Sequence, residues 1–164
     1  MKNLRNLLEN IEYRLVNGSL ETEVKDVVYD SRKVSPGSLF VCIQGANVDG
    51  HDFIRQVIMA GAKVLVVQKE TELPKDADVT LIQTSDTRYA LAFISAAYFD
   101  HPAKQMKIIG ITGTKGKTTT TYLVKSILEQ AGRKVGLIGT SEVIIGDTHI
   151  HADNTTPESY QIHQ

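Results

Sequence analysis

Apolar residues recur along this chain in two alternating rhythms. Leu4, Leu7, Leu8 and Ile11 stand at helical spacing and predict a short opening helix. Residues 24–29 read as a strand, and Asp30-Ser31-Arg32 after them is turn chemistry. Ser35-Pro36-Gly37-Ser38 predicts a turn into a strand over 39–44, followed by a loop over 45–50. A helix over about 52–60 would present Phe53, Val57 and Ala60 on one face, with Gly61 as its stop. Val64-Leu65-Val66-Val67 is the near-continuous apolar pattern of a strand buried on both faces. Residues 79–83 predict another strand. Asp86 caps the helix after it, with Tyr89, Ala92, Phe93, Ala96 and Phe99 as the expected packing face and His101-Pro102 as the end.

Near Lys107 the pattern starts again. Ile108-Ile109-Gly110-Ile111-Thr112 predicts a strand running into the loop 113–117. The helix that follows places Val124, Ile127, Leu128 and Ala131 on one face and stops at Gly132. A strand over 134–139 would complete a right-handed parallel βαβ unit, and 142–150 reads as a hairpin around Gly146-Asp147. The alternation indicates an α/β fold of two domains, 1–104 and 105–164, the second with a parallel sheet. One βαβ unit and a hairpin cannot cover both faces of such a sheet, so the expectation is the front part of a longer protein.

Composition narrows the function classes. A chain of 164 residues is long enough to bury a core, and 41% hydrophobic with 23% charged residues excludes disorder. Lys and Arg number 18 against 19 Asp and Glu, which argues against holding nucleic acid or anionic membrane by bulk charge. The single Cys42, inside the apolar run 39–43, excludes an internal disulfide and reads as a small core residue in a reducing compartment. No signal peptide and no apolar run of roughly 18 residues is visible, so a cytoplasmic location without membrane insertion is expected. His149 and His151 fall on one face of a strand without an evident third ligand, and read as a solvated hairpin. Arg88, Arg133, Lys104 and Lys107 read as helix-end and surface charges.

The strongest chemical signal is Thr112-Gly113-Thr114-Lys115-Gly116-Lys117-Thr118-Thr119, between a strand and a helix. A phosphate chain carries dense negative charge and must be met at close range. Gly113 and Gly116 let backbone N–H groups approach, and a helix N-terminus adds positive partial charge. Lys117 would reach the β- and γ-phosphates, and the Thr118 hydroxyl would take one position on Mg2+. Against the pattern G-x-x-x-x-G-K-[ST], the first glycine is replaced by Ile111 while the G-K-T core is intact. A turn with incidental lysines is the bland alternative, but the run Thr118–Thr121 is a poor choice for packing alone.

Residues 110–120 resemble the ATP loop of the Mur ligases, in which the leading glycine is commonly absent; folylpolyglutamate synthetases share a related loop. Asp30-Ser31-Arg32, Pro36-Gly37, Leu39-Phe40-Val41, Gly45, Asp49-Gly50-His51 and Gly61-Ala62 resemble the N-terminal domain of MurE- and MurF-type ligases. Gly136-Leu137-Ile138-Gly139-Thr140 and Asn154-Thr155-Thr156-Pro157 are similar to the MurE-type pattern. The resemblance implies a uridine-binding domain at 1–104 and the first part of the central P-loop ATPase domain at 105–164. It implies ATP and Mg2+ as cofactors, with Gly113, Thr114, Lys115, Gly116, Lys117, Thr118 and Thr119 on ATP, Lys117 as the catalytic clamp and Thr118 on the metal. It implies Ser31, Asn154, Thr155 and Thr156 on UDP-MurNAc-L-Ala-D-Glu, with Tyr29, Ala46 and Asn47 as further contacts. The implied reaction adds L-lysine or meso-diaminopimelate through an acyl phosphate in peptidoglycan synthesis; oligomeric state is not readable from the sequence, and a monomer is the expectation. A turn capped by Ser31, and a helix start with Pro157 in its first turn, are the structural readings beside these roles. The alternatives are another Mur ligase, MurF type, or a stand-alone nucleotide-binding module without ligase activity; an isolated chain of this length is expected to be inactive.

Overall fold

Residues 26–83 supply four strands that pair side by side in parallel. The computed structural model describes residues 1–45, 48–151 and 156–164. It forms two compact units, Met1–Pro102 with His163–Gln164, and Ala103–Ile162. The first contains, in order, β1 (Lys2–Asn3), α1 (Leu4–Leu7), β2 (Arg14–Asn17), β3 (Glu23–Val24), β4 (Asp26–Val28), β5 (Ser38–Val41), α2 (Ile54–Met59), β6 (Val64–Val67), β7 (Thr80–Gln83) and α3 (Thr87–Tyr98).

Strands β4 to β7 run parallel and β2 is antiparallel to β7, in the order β2-β7-β6-β5-β4. The fold is α/β with a mixed, mainly parallel sheet. Register places Phe40 beside Leu65 and Leu65 beside Leu81, so these three share one face. Ile54 and Val57 of α2 pack on that face with Cys42 and Ala62. Burial pushes the Cys42 thiol up to about 12, which keeps it an unreactive packing group as expected. Leu4, Leu7 and Leu8 from the first turns, and Ala90, Leu91 and Ile94 from α3, are buried too, and α1 packs against α3.

Several sequence expectations are corrected here. The stretch 24–29 is divided between two sheets, because β3 pairs with β1 while β4 pairs with β5. The opening helix is one turn long and ends before Ile11; the strand over 39–44 stops at Val41. In the 52–60 region Gly50–Phe53 is a 3-10 turn, and the buried face is Ile54 and Val57, with Ala60 exposed. The edge strand β2 was not expected, since all four of its residues are exposed and give no burial rhythm. On α3 the buried stripe is Thr87, Ala90, Leu91, Ile94 and Ser95, rotated from the aromatic stripe. Small and aliphatic side chains let the helix lie close on its neighbours. Tyr89 is 54% exposed and stacks on Phe93 with ring centroids 4.6 Å apart.

The second unit contains α4 (Lys117–Gln130), β8 (Gly136–Ile138), β9 (Glu142–Ile145), β10 (Thr148–His151) and α5 (Ser159–His163). Strands β8, β9 and β10 form an antiparallel sheet, with the hairpin turning at Gly146 at φ +57°. The expected strand over 108–112 and the parallel βαβ unit are absent among the described residues, and Ile108 is 74% exposed. The reason is pairing: among the described residues no strand lies alongside 108–112 to complete its ladder. Val124 and Leu128 of α4 are half-buried, whereas Ile127 is 66% exposed and Ala131 is exposed. The last helix begins at Ser159, beyond Pro157. Among the described residues no helix is long and apolar enough to cross a membrane.

The rotated α3 face gives a direct test. Ile94→Ala should lower the unfolding free energy by about 2–4 kcal/mol, as for a truncated core aliphatic. Tyr89→Ala should cost about 1 kcal/mol or less, the worth of one exposed ring pair. Urea unfolding followed by circular dichroism separates the two.

Candidate functional site

A helix start exposes N–H groups that its own backbone cannot satisfy, and what meets them decides what can bind there. Gly116 precedes α4 at φ +76°, with no side chain accepting from the first turn and no acidic residue in that turn. A β-carbon at Gly116 would meet nothing within 4 Å, so glycine is required by the backbone turn rather than by crowding. Lys117 Nζ donates to the Gly113 carbonyl at 2.7 Å, folding the ammonium back over the loop. Thr120 Oγ1 donates to the Gly116 carbonyl at 2.9 Å, and Thr121 Oγ1 to the Thr118 carbonyl at 2.7 Å. These hydroxyls support the first turn from behind. The Thr118 hydroxyl makes no hydrogen bond among the described residues, and 112–120 are exposed. Seven sequence-predicted residues, Gly113 to Thr119, thus form one surface loop opening on a 14-residue helix. Uncapped N–H groups, an adjacent ammonium and a hydroxyl fit a phosphate chain with its metal.

In the first unit, the parallel direction of β4 to β7 gathers their carboxyl ends on one sheet edge. Tyr29 and Ser31 follow β4, the 42–50 segment follows β5, Gln68 follows β6, and Thr84 to Thr87 follow β7. Ser31 opens a 3-10 turn, Ser31–Lys33, whose cap is Asp30, not Ser31: Asp30 Oδ1 accepts from the Arg32 N–H at 3.0 Å. Arg32 also grips Asp30 through Nε at 2.9 Å and Nη2 at 2.8 Å, leaving the Ser31 side chain outside that pairing. The Arg32 side-chain bonds bring the Asp30 carboxyl down from 3.8 to about 2. A cleft of about 330 Å³ lies on the same edge, lined by Gln44, Gln68, Ser85, Asp86, Thr87 and Arg88 with Ile43. Asp86 accepts from the N–H groups of Arg88 and Tyr89 at 2.8 and 3.0 Å, so α3 begins capped.

Sequence reasoning missed this cleft because Gln68 and Gln44 carry no local motif and meet only through the sheet. Ala46, Asn47, Asn154 and Thr155 lie outside the described residues. Thr156 is exposed, ahead of α5. His149 and His151 are exposed on β10, and His149 Nδ1 lies 2.6 Å from Glu142 Oε2. Among the described residues no three His, Cys, Asp or Glu side chains converge to hold a metal ion.

Two family models match the chain: Mur ligase family, catalytic domain, over residues 23–99, and Mur ligase middle domain, over 111–164. The UDP-N-acetylmuramoyl-L-alanyl-D-glutamate--2,6-diaminopimelate ligase of Clostridium perfringens is 47% identical over 161 residues, covering 98% of this chain and 33% of that protein. The chain thus spans about a third of the length of the curated relatives it matches. Among solved structures, MurF from Acinetobacter baumannii has a TM-score of 0.60 at 32% identity, over 78% of this chain and 27% of that one. MurF ligase from Thermotoga maritima in complex with ADP has a TM-score of 0.50 at 25% identity, over 67% and 24%.

The Asp30–Arg32 pair predicts an acid response of the Ser31 turn. A carboxyl lowered in the folded state stabilises the turn fully above its unfolded value near 3.8, and loses that contribution as pH falls through about 2. The Arg32 amide resonance should therefore hold steady down to about pH 4 and titrate with a midpoint near 2. In Asp30→Asn that titration should vanish.

Proposed function

The chain belongs to the Mur ligase family, and on that premise we propose that it carries the nucleotide-sugar-binding unit and the first nucleotide-binding elements of a MurE-type ligase. The observation that carries this reading is the uncapped start of α4, with Lys117 closed over Gly113. The whole enzyme would join a diamino acid to UDP-MurNAc-L-Ala-D-Glu: the D-glutamyl γ-carboxylate takes the γ-phosphoryl group of ATP, and the incoming amine then displaces phosphate. The Clostridium perfringens and Clostridium tetani relatives, 47% and 45% identical over 98% of this chain, are both named 2,6-diaminopimelate ligases, which favours meso-diaminopimelate as the amine.

Each residue's role follows from its chemistry. Backbone N–H groups from Gly113 to Thr119 hold the phosphates, Thr114 and Lys115 shaping the turn between the two glycines. Lys117 is the clamp: it exchanges the Gly113 carbonyl for phosphate oxygens, a charge-assisted bond that strengthens as charge develops. Thr118 would hold Mg2+, which when bound would neutralise phosphate charge. Ser31 and Tyr29 at the sheet edge, Ala46 and Asn47 after β5, and Asn154, Thr155 and Thr156 before α5 would hold the UDP-MurNAc-dipeptide. The reading places the protein in the cytoplasm as a monomer, where a buried thiol such as Cys42 stays reduced.

Calorimetric titration of the chain with Mg-ATP and, separately, with UDP-MurNAc-L-Ala-D-Glu tests this. Lys117→Ala should weaken Mg-ATP binding by at least about tenfold, the worth of a charge-assisted bond. It should leave the nucleotide sugar unaffected. Equal losses of both ligands, or no Mg-ATP uptake by the unaltered chain, would overturn the loop assignment.

A further inference from the structure

An unbroken set of hydrogen bonds runs along the carboxyl edge of the first unit, and none of the roles above uses it. Lys69 Nζ lies 2.5 Å from Asp49 Oδ2. Asp49 Oδ1 accepts from the His51 backbone N–H at 3.0 Å and lies 2.5 Å from His51 Nδ1. The Gln68 backbone N–H donates to His51 Nε2 at 3.2 Å. Gln68 Oε1 in turn accepts from the Thr87 hydroxyl at 2.9 Å and the Thr87 N–H at 3.3 Å. Gln68 Nε2 points at Gln44 Oε1 at 3.5 Å.

These partners settle the state of the ring. A backbone N–H can only donate, so Nε2 must offer its lone pair to Gln68, and the proton sits on Nδ1 facing Asp49. The Lys69 ammonium, followed by the His51 N–H, holds the Asp49 carboxyl well below the usual carboxylate range. The His51 side chain is 9% exposed and is not part of the cleft lining, whereas both glutamines are. Two backbone bonds close at the same place. Gly45 N–H donates to the Val48 carbonyl at 2.9 Å and Gly50 N–H to the Ile43 carbonyl at 2.9 Å.

We infer that His51 is a positioning residue for the nucleotide part of the substrate: locked by Asp49 and accepting from the Gln68 backbone N–H, it fixes the strand end that carries the Gln68 carboxamide, which faces the cleft beside Gln44. A carboxamide pair offers donors and acceptors side by side, the complement of the alternating carbonyl, N–H and carbonyl of a uracil edge. Every turn start described on this edge is capped by its own aspartate, so no turn-start N–H there is left open to a phosphate, and the carboxamides are the groups that match a heterocycle edge. The inference rests on the nucleotide-sugar reading of this unit.

Two substitutions divide the two contacts of the ring. His51→Asn keeps a donor for Asp49 and leaves the Gln68 N–H without an acceptor; the longer His51→Gln returns an acceptor to Gln68. Each is titrated with UDP-MurNAc-L-Ala-D-Glu and with Mg-ATP, alongside thermal unfolding. His51→Asn should weaken the nucleotide sugar by about tenfold, as removal of a supporting partner typically does. His51→Gln should stay within about threefold of the parent, and Mg-ATP binding should be unchanged in both. Unaltered sugar binding in His51→Asn overturns the role of His51 alone. So does a loss shared equally by both variants and both ligands, which marks a folding role. Absence of sugar binding by the unaltered chain overturns the nucleotide-sugar reading and this inference with it.

Discussion

A helix-start N–H group bonds either to its own cap or to a ligand, and that exclusion divides the chemistry of this chain. At the carboxyl edge of the parallel sheet, Asp30, Asp49 and Asp86 each accept from the backbone N–H groups that follow them. Those donors are spent, and a carboxylate stands where a phosphate would have to come. At α4 the corresponding position is Gly116, which brings no side chain at all. The positive end of a 14-residue helix is left open there and backed by Lys117. The start of α4 therefore leaves N–H donors open, whereas the turn starts on the sheet edge of the first unit close theirs on their own aspartates.

The first unit was legible wherever burial alone determines structure. Val64-Leu65-Val66-Val67 can be nothing but a central strand, and Asp86 and Gly61 mark a helix start and a helix stop by local chemistry that tertiary packing does not override. The errors arise where two readings satisfy the same local rule. On α3, Tyr89-Phe93-Ala96 and Ala90-Leu91-Ile94 both repeat at helical spacing, and only the neighbours choose between them. The choice falls on the stripe whose small members, Ala90 and Ser95, allow close approach. Edge strand β2 shows the converse limit, since exposed residues leave no periodicity to read.

Residues 108–112 separate a strand's sequence from a strand's existence. Their apolar run states which environment they suit, but a strand is made by the groups that accept its hydrogen bonds, and among the described residues no strand pairs with 108–112. The helix after the loop forms regardless, because α-helical bonds are internal to the segment. This is why the 113–119 segment keeps its helical half, including the Gly116 turn and the Lys117 contact, while the stretch before it stays irregular. The open N–H groups are supplied by the half that needs no neighbours.

Site residues divide by the same logic. Gly113 to Thr119 are contiguous, so their chemistry could be read directly from the order of residue types. Ser31 stood in a recognisable turn, yet which residue caps it depended on geometry: a one-carbon carboxylate reaches the N–H two residues on, and Asp30 takes it. The His51–Gln68 bond joins residues 17 apart, and Gln68 reaches Thr87 across another 19. No local pattern announces such a link. It exists because parallel strands bring the ends of β5, β6 and β7 to one edge, so that residues remote in sequence face one another after each crossover. A parallel sheet thus hides its most informative contacts from sequence reading, while a helix-start loop displays them, and the two units of this chain sit on opposite sides of that divide.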